Sequence, residues 1–162
     1  MVDPYQYLKD KPYKLYINGE FVPSESQETM EVINPVDNEV IATFYKGGKE
    51  DIKKAIKSAR KAFEEGPWSS MSQKERSELI KNVGRILMEN VEKFACLEGL
   101  DCGKLYPSLT FYELPQAVDG FNYSAGKARC IEGKEIPVDG GGHYLNYVKW
   151  QPYGVVGEIL PW

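Results

Sequence analysis

A chain of 162 residues with 42% hydrophobic and 27% charged side chains has the composition of a globular protein, long enough for one domain burying about 70% of its unfolded surface. The net charge of −4 and pI near 5.2 leave no electrostatic footprint for nucleic acid or an anionic membrane surface. No apolar run approaches the ~20 residues that span a bilayer, and the polar, proline-broken start MVDPYQYLKDKPYK does not read as a signal peptide. Cys96, Cys102 and Cys130 form no CxxC pair, which argues against a disulfide framework or a zinc site. A cytoplasmic protein without nucleic-acid or membrane partners is the expectation.

The first third predicts short strands. Leu15-Tyr16-Ile17 and Glu20-Phe21-Val22 flank Asn18-Gly19, a dipeptide suited to the left-handed torsions of a two-residue hairpin turn. A second pair, Thr29 to Ile33 and Val40 to Tyr45, is joined by turn formers around Pro35. Helical periodicity takes over at Glu50, with Ile52, Ala55, Ile56, Ala59 and Phe63 on one face, and Gly66-Pro67 ends that helix. Ser72-Gln73-Lys74-Glu75 is a capping box opening a helix expected to bury Leu79, Ile80, Val83, Ile86 and Leu87. Asn90 breaks it. A further helical stretch carries Val91, Phe94, Ala95 and Leu97 to the turn Asp101-Cys102-Gly103-Lys104, and a third helical region runs from Ser108 to Arg129, interrupted or kinked at Pro115.

From Ile131 the pattern changes. Glu135 to Val138 and Tyr144 to Trp150 flank Asp139-Gly140-Gly141-Gly142, which predicts a long hairpin. The last stretch, Gly154 to Leu160, is nearly all apolar, as in a parallel sheet covered on both faces.

Local chemistry yields no complete active site. The single histidine, His143, sits beside three glycines, where a solvated side chain is commoner than a ligand or base. Cys102 lies near Lys104, which would favour a thiolate, but a nucleophile also needs a positioned base, so a structural cysteine is the better expectation. Cys96 and Cys130 are expected as core or half-buried filler. The glycine clusters match neither phosphate-binding spacing, and the eleven tyrosines scatter without basic interleaving.

Several segments together carry a resemblance. INGEFV (17–22), VINPVDNEVIAT (32–43), the helix from Lys49 to Glu65 with Gly66-Pro67-Trp68, LDCGK (100–104), Tyr123-Ser124-Ala125-Gly126, IPVDG (136–140) and PYGVVGEILPW (152–162) resemble, in order and spacing, the N-terminal segment of the NAD(P)-dependent aldehyde dehydrogenase superfamily. Leu105 and Lys127 depart from the commoner proline and tryptophan of that pattern.

The resemblance implies an α/β fold that is incomplete: N-terminal short antiparallel strands, then helices, an oligomerisation-arm hairpin, and the first strand of a Rossmann-type parallel sheet. The implied divisions are 1–130 (N-terminal part of the cofactor-binding domain), 131–152 (the arm) and 153–162 (the truncated first strand). It further implies a cofactor, NAD or NADP, lined by Ile159, Leu160, Pro161 and Trp162, and an aldehyde tunnel lined by Tyr112 and Gln116. A monovalent-cation site would draw on the Ile33 carbonyl and on Asp101. In the family the nucleophilic cysteine, the glutamate base and the pyrophosphate-binding glycines come later, so no catalytic residue is expected in this chain, and Cys102 does not match the nucleophile.

The implied function is part of an enzyme oxidising an aldehyde to a carboxylic acid through a cysteine thioester, with the remainder of the enzyme or a second copy as partner. The alternatives are a stand-alone interaction module and a non-functional remnant. Without the remaining strands, large apolar faces are expected to stay exposed and to favour association.

Overall fold

In the computed structural model, which describes residues 3–9 and 12–160, Asn18 and Gly19 both take positive φ, 55° and 81°. That conformation closes the hairpin of β1 (Leu15–Ile17) and β2 (Glu20–Val22), with Tyr16 opposite Phe21 and their rings 5.0 Å apart. The second hairpin pairs β3 (Thr29–Ile33) with β4 (Val40–Tyr45), antiparallel, with an irregularity between Val32 and Ile33. Tyr13 extends it: its N–H donates to the Thr43 carbonyl at 2.8 Å and its carbonyl accepts from Tyr45 N–H at 2.9 Å. These are two separate two-stranded ladders and not one sheet.

Four long helical stretches follow. Helix α1 (Lys49–Glu65) starts at Gly48, and Asp51 in its first turn accepts the Gly48 N–H at 2.9 Å. A 3-10 turn (Pro67–Ser70) leads to α2 (Gln73–Glu89), where the expected capping box is present. Ser72 Oγ accepts from Glu75 N–H at 3.2 Å, and the Glu75 carboxylate accepts from Ser72 N–H at 2.7 Å, which holds the Glu75 carboxyl below its ordinary range. Helix α3 (Val91–Cys102) ends on Gly103, left-handed at φ 70°. A Cβ there would stand 3.1 Å from Pro35 Cγ, so the bare backbone lets the corner after α3 seat on the β3–β4 turn.

The third helical region is α4 (Tyr106–Ser108), a π-helical turn (Leu109–Glu113) and α5 (Leu114–Lys127) in one continuous run. The expected irregularity appears just before Pro115 as the π turn, in which Leu114 N–H donates to the Leu109 carbonyl.

The core is small. Ile41 and Ala42 of β4 and Leu100 of α3 are buried together, with Leu8, Tyr13 and Val32 packed against them. Helices α2 and α5 pack along each other through a face the sequence does not advertise. Gly84 meets Val118 and Phe121, and Ser77, seven residues earlier, is fully buried. Leu79, Val83 and Ile86, expected inside, are exposed, because the small residues allow α5 to approach on the neighbouring face. Ile52 and Ile56 on α1 and Phe94 on α3 are likewise exposed, and Cys130, expected to be at least half-buried, is exposed too.

The hairpin expected between Glu135 and Trp150 is shorter than its sequence predicts. Strands β5 (Lys134–Glu135) and β6 (Tyr147–Val148) pair antiparallel, and Ile136 N–H adds one bond to the Asn146 carbonyl at 2.9 Å. Every residue from 131 to 152 is exposed. Gly154 turns at φ 99° beside Arg60 and Phe63 of α1. Beyond it, residues 155–160, expected as a strand, join no ladder, since strand hydrogen bonds require a neighbouring strand.

The consequence is surface. The chain exposes 12937 Å². A self-contained monomer of 18.4 kDa exposes about 8,200 Å², roughly 4,700 Å² less.

Candidate functional site

The residues expected to matter fall on three surfaces. Tyr112 and Gln116 lie on one helical limb: Tyr112 in the π turn, 74% exposed, and Gln116 exposed in the first turn of α5. A mid-helix π turn is an uncommon conformation that recurs at functional sites. It is here that Phe111 and Tyr112 project outward while Leu109 is sealed inside.

Ile33 and Asp101 stand at the ends of β3 and α3, both exposed. Their elements meet through the approach of Gly103 to Pro35 and through a cleft lined by both Val32 and Asp101. Among the described residues, no cluster of three or more His, Cys, Asp and Glu could hold a metal ion.

Ile159 and Leu160 are exposed on the unpaired terminal segment; Pro161 and Trp162 lie outside the described residues.

One charged arrangement escapes the sequence. Lys104, expected only as a neighbour of Cys102, sends its ammonium to Glu98 Oε1 and Glu113 Oε2, each at 2.8 Å. Ser108 Oγ donates to the other Glu113 oxygen at 3.3 Å. The hydrogen bonds to Glu113 and Glu98 raise the Lys104 pKa, and the bond from Lys104 lowers that of Glu113, so both remain ionised across the neutral range. No residue spacing announces this cluster, because its three members come from α3, the corner after it and the π turn.

Neither Cys96 nor Cys102 is set up as a nucleophile. Burial, followed by the neighbouring carboxylates, pushes Cys102 above the ordinary thiol range, outweighing Lys104. Burial does the same to Cys96. A cleft of about 490 Å³ opens beside Cys96, between Val36, Ala95, Leu100 and Tyr106. The Asn34 amide on its wall is engaged: it donates to Asp37 at 3.0 Å and accepts from Val36 N–H at 3.0 Å.

Comparison with known proteins places this arrangement. The model of the aldehyde dehydrogenase family matches residues 21–162. A putative aldehyde dehydrogenase, DhaS, of Bacillus subtilis is 42% identical over 149 residues, 92% of this chain and 30% of that protein. Aldehyde dehydrogenase 1A1 of Gallus gallus is 37% identical over 161 residues, 99% of this chain and 31% of that protein. Among solved structures, the NAD+ complex of an aldehyde dehydrogenase from Bacillus cereus superposes with a TM-score of 0.79 at 39% identity. The superposition covers 85% of this chain and 28% of that one. The chain thus spans about 30% of the length of the curated relatives it matches. With a family match running from Phe21 to Trp162 and a superposable fold, the chain belongs to the aldehyde dehydrogenase family.

Proposed function

We propose that this chain is the N-terminal part of an NAD(P)-dependent aldehyde dehydrogenase, an enzyme oxidising an aldehyde to a carboxylic acid through a cysteine thioester. The observation that carries the proposal is the excess of roughly 4,700 Å² of surface over a self-contained monomer, more than the roughly 1,000–2,500 Å² that each partner typically contributes to an obligate interface. The surface left open includes Ile52, Ile56, Leu79, Val83 and Ile86, the stripes of helices that would face a missing layer.

Within that enzyme the chain supplies walls and not reacting groups. Tyr112 and Gln116 orient the aldehyde, with one aromatic ring and one amide on the same limb. Ile159 and Leu160 fit one edge of a nucleotide site, being exposed and apolar on backbone that joins no ladder, and they do not close the site by themselves. Bound NAD(P) supplies the hydride acceptor. Ile33 and Asp101 would offer a carbonyl and a carboxylate to a monovalent cation at the seat of α3 on the β3–β4 turn. Hairpin 131–152, exposed throughout, is the arm that reaches a partner subunit, and the enzyme works in the cytoplasm.

The mass of the native protein tests the proposal, detected in host-cell lysate with an antibody against residues 1–14. A band several times larger than 18.4 kDa, co-fractionating with NAD(P)-dependent aldehyde oxidation, is the expected result. A band at 18.4 kDa would overturn it in favour of a stand-alone interaction module.

A further inference from the structure

We propose that Lys104 is a positioning residue for the aldehyde-facing surface: its ammonium ties the end of α3 to the π turn and thereby sets the direction in which Tyr112 and Gln116 project. This role presupposes that Tyr112 and Gln116 face the aldehyde, as proposed above.

The geometry of the corner demands such a tie. Gly103, left-handed, reverses the chain after α3, and the limb carrying Tyr112 begins three residues later. Leu109, 1% exposed and packed near Gly99, is the apolar pivot between the two. Leu109 fixes where the limb meets α3, while the contacts of Val118 and Phe121 with α2 lie beyond the π turn, so the turn between them is the stretch whose angle is left soft. Lys104 removes that freedom. It bonds Glu98 on the α3 side and Glu113 on the limb, four residues beyond Leu109, and Ser108 holds the second oxygen of Glu113. Charge-assisted bonds of this length are directional and stronger than neutral ones.

Glu113 is adjacent to Tyr112, so the azimuth of one determines that of the other. Glu113 is half-buried and held inward, while Tyr112 projects into solvent. A rotation of the limb by about 10° displaces a tyrosine hydroxyl by roughly 1–2 Å, a misplacement that costs up to about 10²-fold in rate when it moves a substrate wall. The π turn is the segment where such a rotation would occur, because its hydrogen bonding is already irregular.

Two readouts test this with Lys104→Met and Lys104→Arg. In the 162-residue chain, amide hydrogen exchange over residues 109–116 is expected to speed by about tenfold in K104M and to be largely restored in K104R. Exchange unchanged in K104M overturns the tie. In the aldehyde-oxidising protein that carries this chain, K104M is expected to raise KM for benzaldehyde about tenfold more than KM for acetaldehyde, with K104R recovering most of the difference. An equal loss for both aldehydes would mean general destabilisation and overturns the positioning role. A wild-type protein that oxidises no member of a panel of short aliphatic, hydroxylated, cationic and aromatic aldehydes overturns the proposed enzyme function and takes the positioning role with it, while the exchange result then stands as a judgement on the tie alone.

Discussion

The Asp51 carboxylate accepts the backbone N–H of Glu25, twenty-six residues earlier, at 3.1 Å, while its other oxygen accepts the N–H of Gly48 at 2.9 Å. One side chain, 4% exposed, therefore starts α1 and also ties that helix to the loop between the two hairpins. The neighbouring ion pair between Lys54 and Glu25 is exposed and adds little to this tie. Asp51→Ala leaves both amides without their acceptor and is expected to cost about 2–3 kcal/mol. Urea unfolding followed by circular dichroism measures it; a loss under ~0.5 kcal/mol would show that water replaces the carboxylate without penalty.

Ser77 and Gly84 make opposite predictions on the same face of α2. Ser77 Oγ is buried with no hydrogen-bond partner among the described residues, so Ser77→Ala removes an unsatisfied group and a poorer helix former together. The variant is expected to be more stable by up to about 1 kcal/mol. Gly84→Val places branched carbons where even a lone Cβ would stand 3.3 Å from Phe121 Cβ and 3.5 Å from Val118 Cγ1. A loss of about 1–3 kcal/mol is expected from overpacking. Thermal melts of the two variants, side by side, decide whether α5 really rests on this face.

Tyr7 donates its hydroxyl to Glu92 at 2.6 Å, joining the N-terminal 3-10 turn (Pro4–Tyr7) to α3. The bond to the carboxylate, with some burial, pushes the Tyr7 pKa up to about 12. The folded pKa lies above the unfolded one, so the folded state holds the proton more tightly. The contribution is complete below about pH 10, the ordinary tyrosine value, and is lost as pH rises from there toward 12. Ultraviolet titration of tyrosinate should therefore show a late component near pH 12 in the wild type that Tyr7→Phe removes. Persistence of that component in the variant would assign it to another tyrosine.

The three thiols should react in a fixed order. Cys130 is exposed, Cys102 half-buried and Cys96 buried, and burial raises the pKa of the last two, lowering their thiolate fraction. A maleimide added at neutral pH is expected to label Cys130 first and Cys96 only on unfolding, as read by peptide mass spectrometry. Early labelling of Cys96 would mean that α3 opens readily.

What could be read from the sequence was what is decided locally. Asn18-Gly19 needs only its own torsions, the Ser72–Glu75 box only its own four residues, and Gly103 only a helix end. The family resemblance was equally accessible, because it lies in short motifs in order along the chain. The buried face of α2 was not, since apolar size pointed to Leu79, Val83 and Ile86, whereas close approach of α5 is decided by the small Ser77 and Gly84. The clamp of Lys104 on Glu98 and Glu113 needs a corner folded before its partners are neighbours. The stretch 155–160 has strand composition but pairs with nothing, because a ladder belongs to two strands and never to one.

That last stretch has a further consequence. Val155-Val156-Gly157-Glu158-Ile159-Leu160 combines β-branched and apolar side chains with backbone that joins no ladder. Such a segment templates stacking of identical chains into fibrils. Glu158 is its single charge, and like charges brought into register every ~4.8 Å repel along a stack. The carboxylate thus acts as a gatekeeper: Glu158→Val should make the isolated chain precipitate at neutral pH, where the wild type stays dissolved.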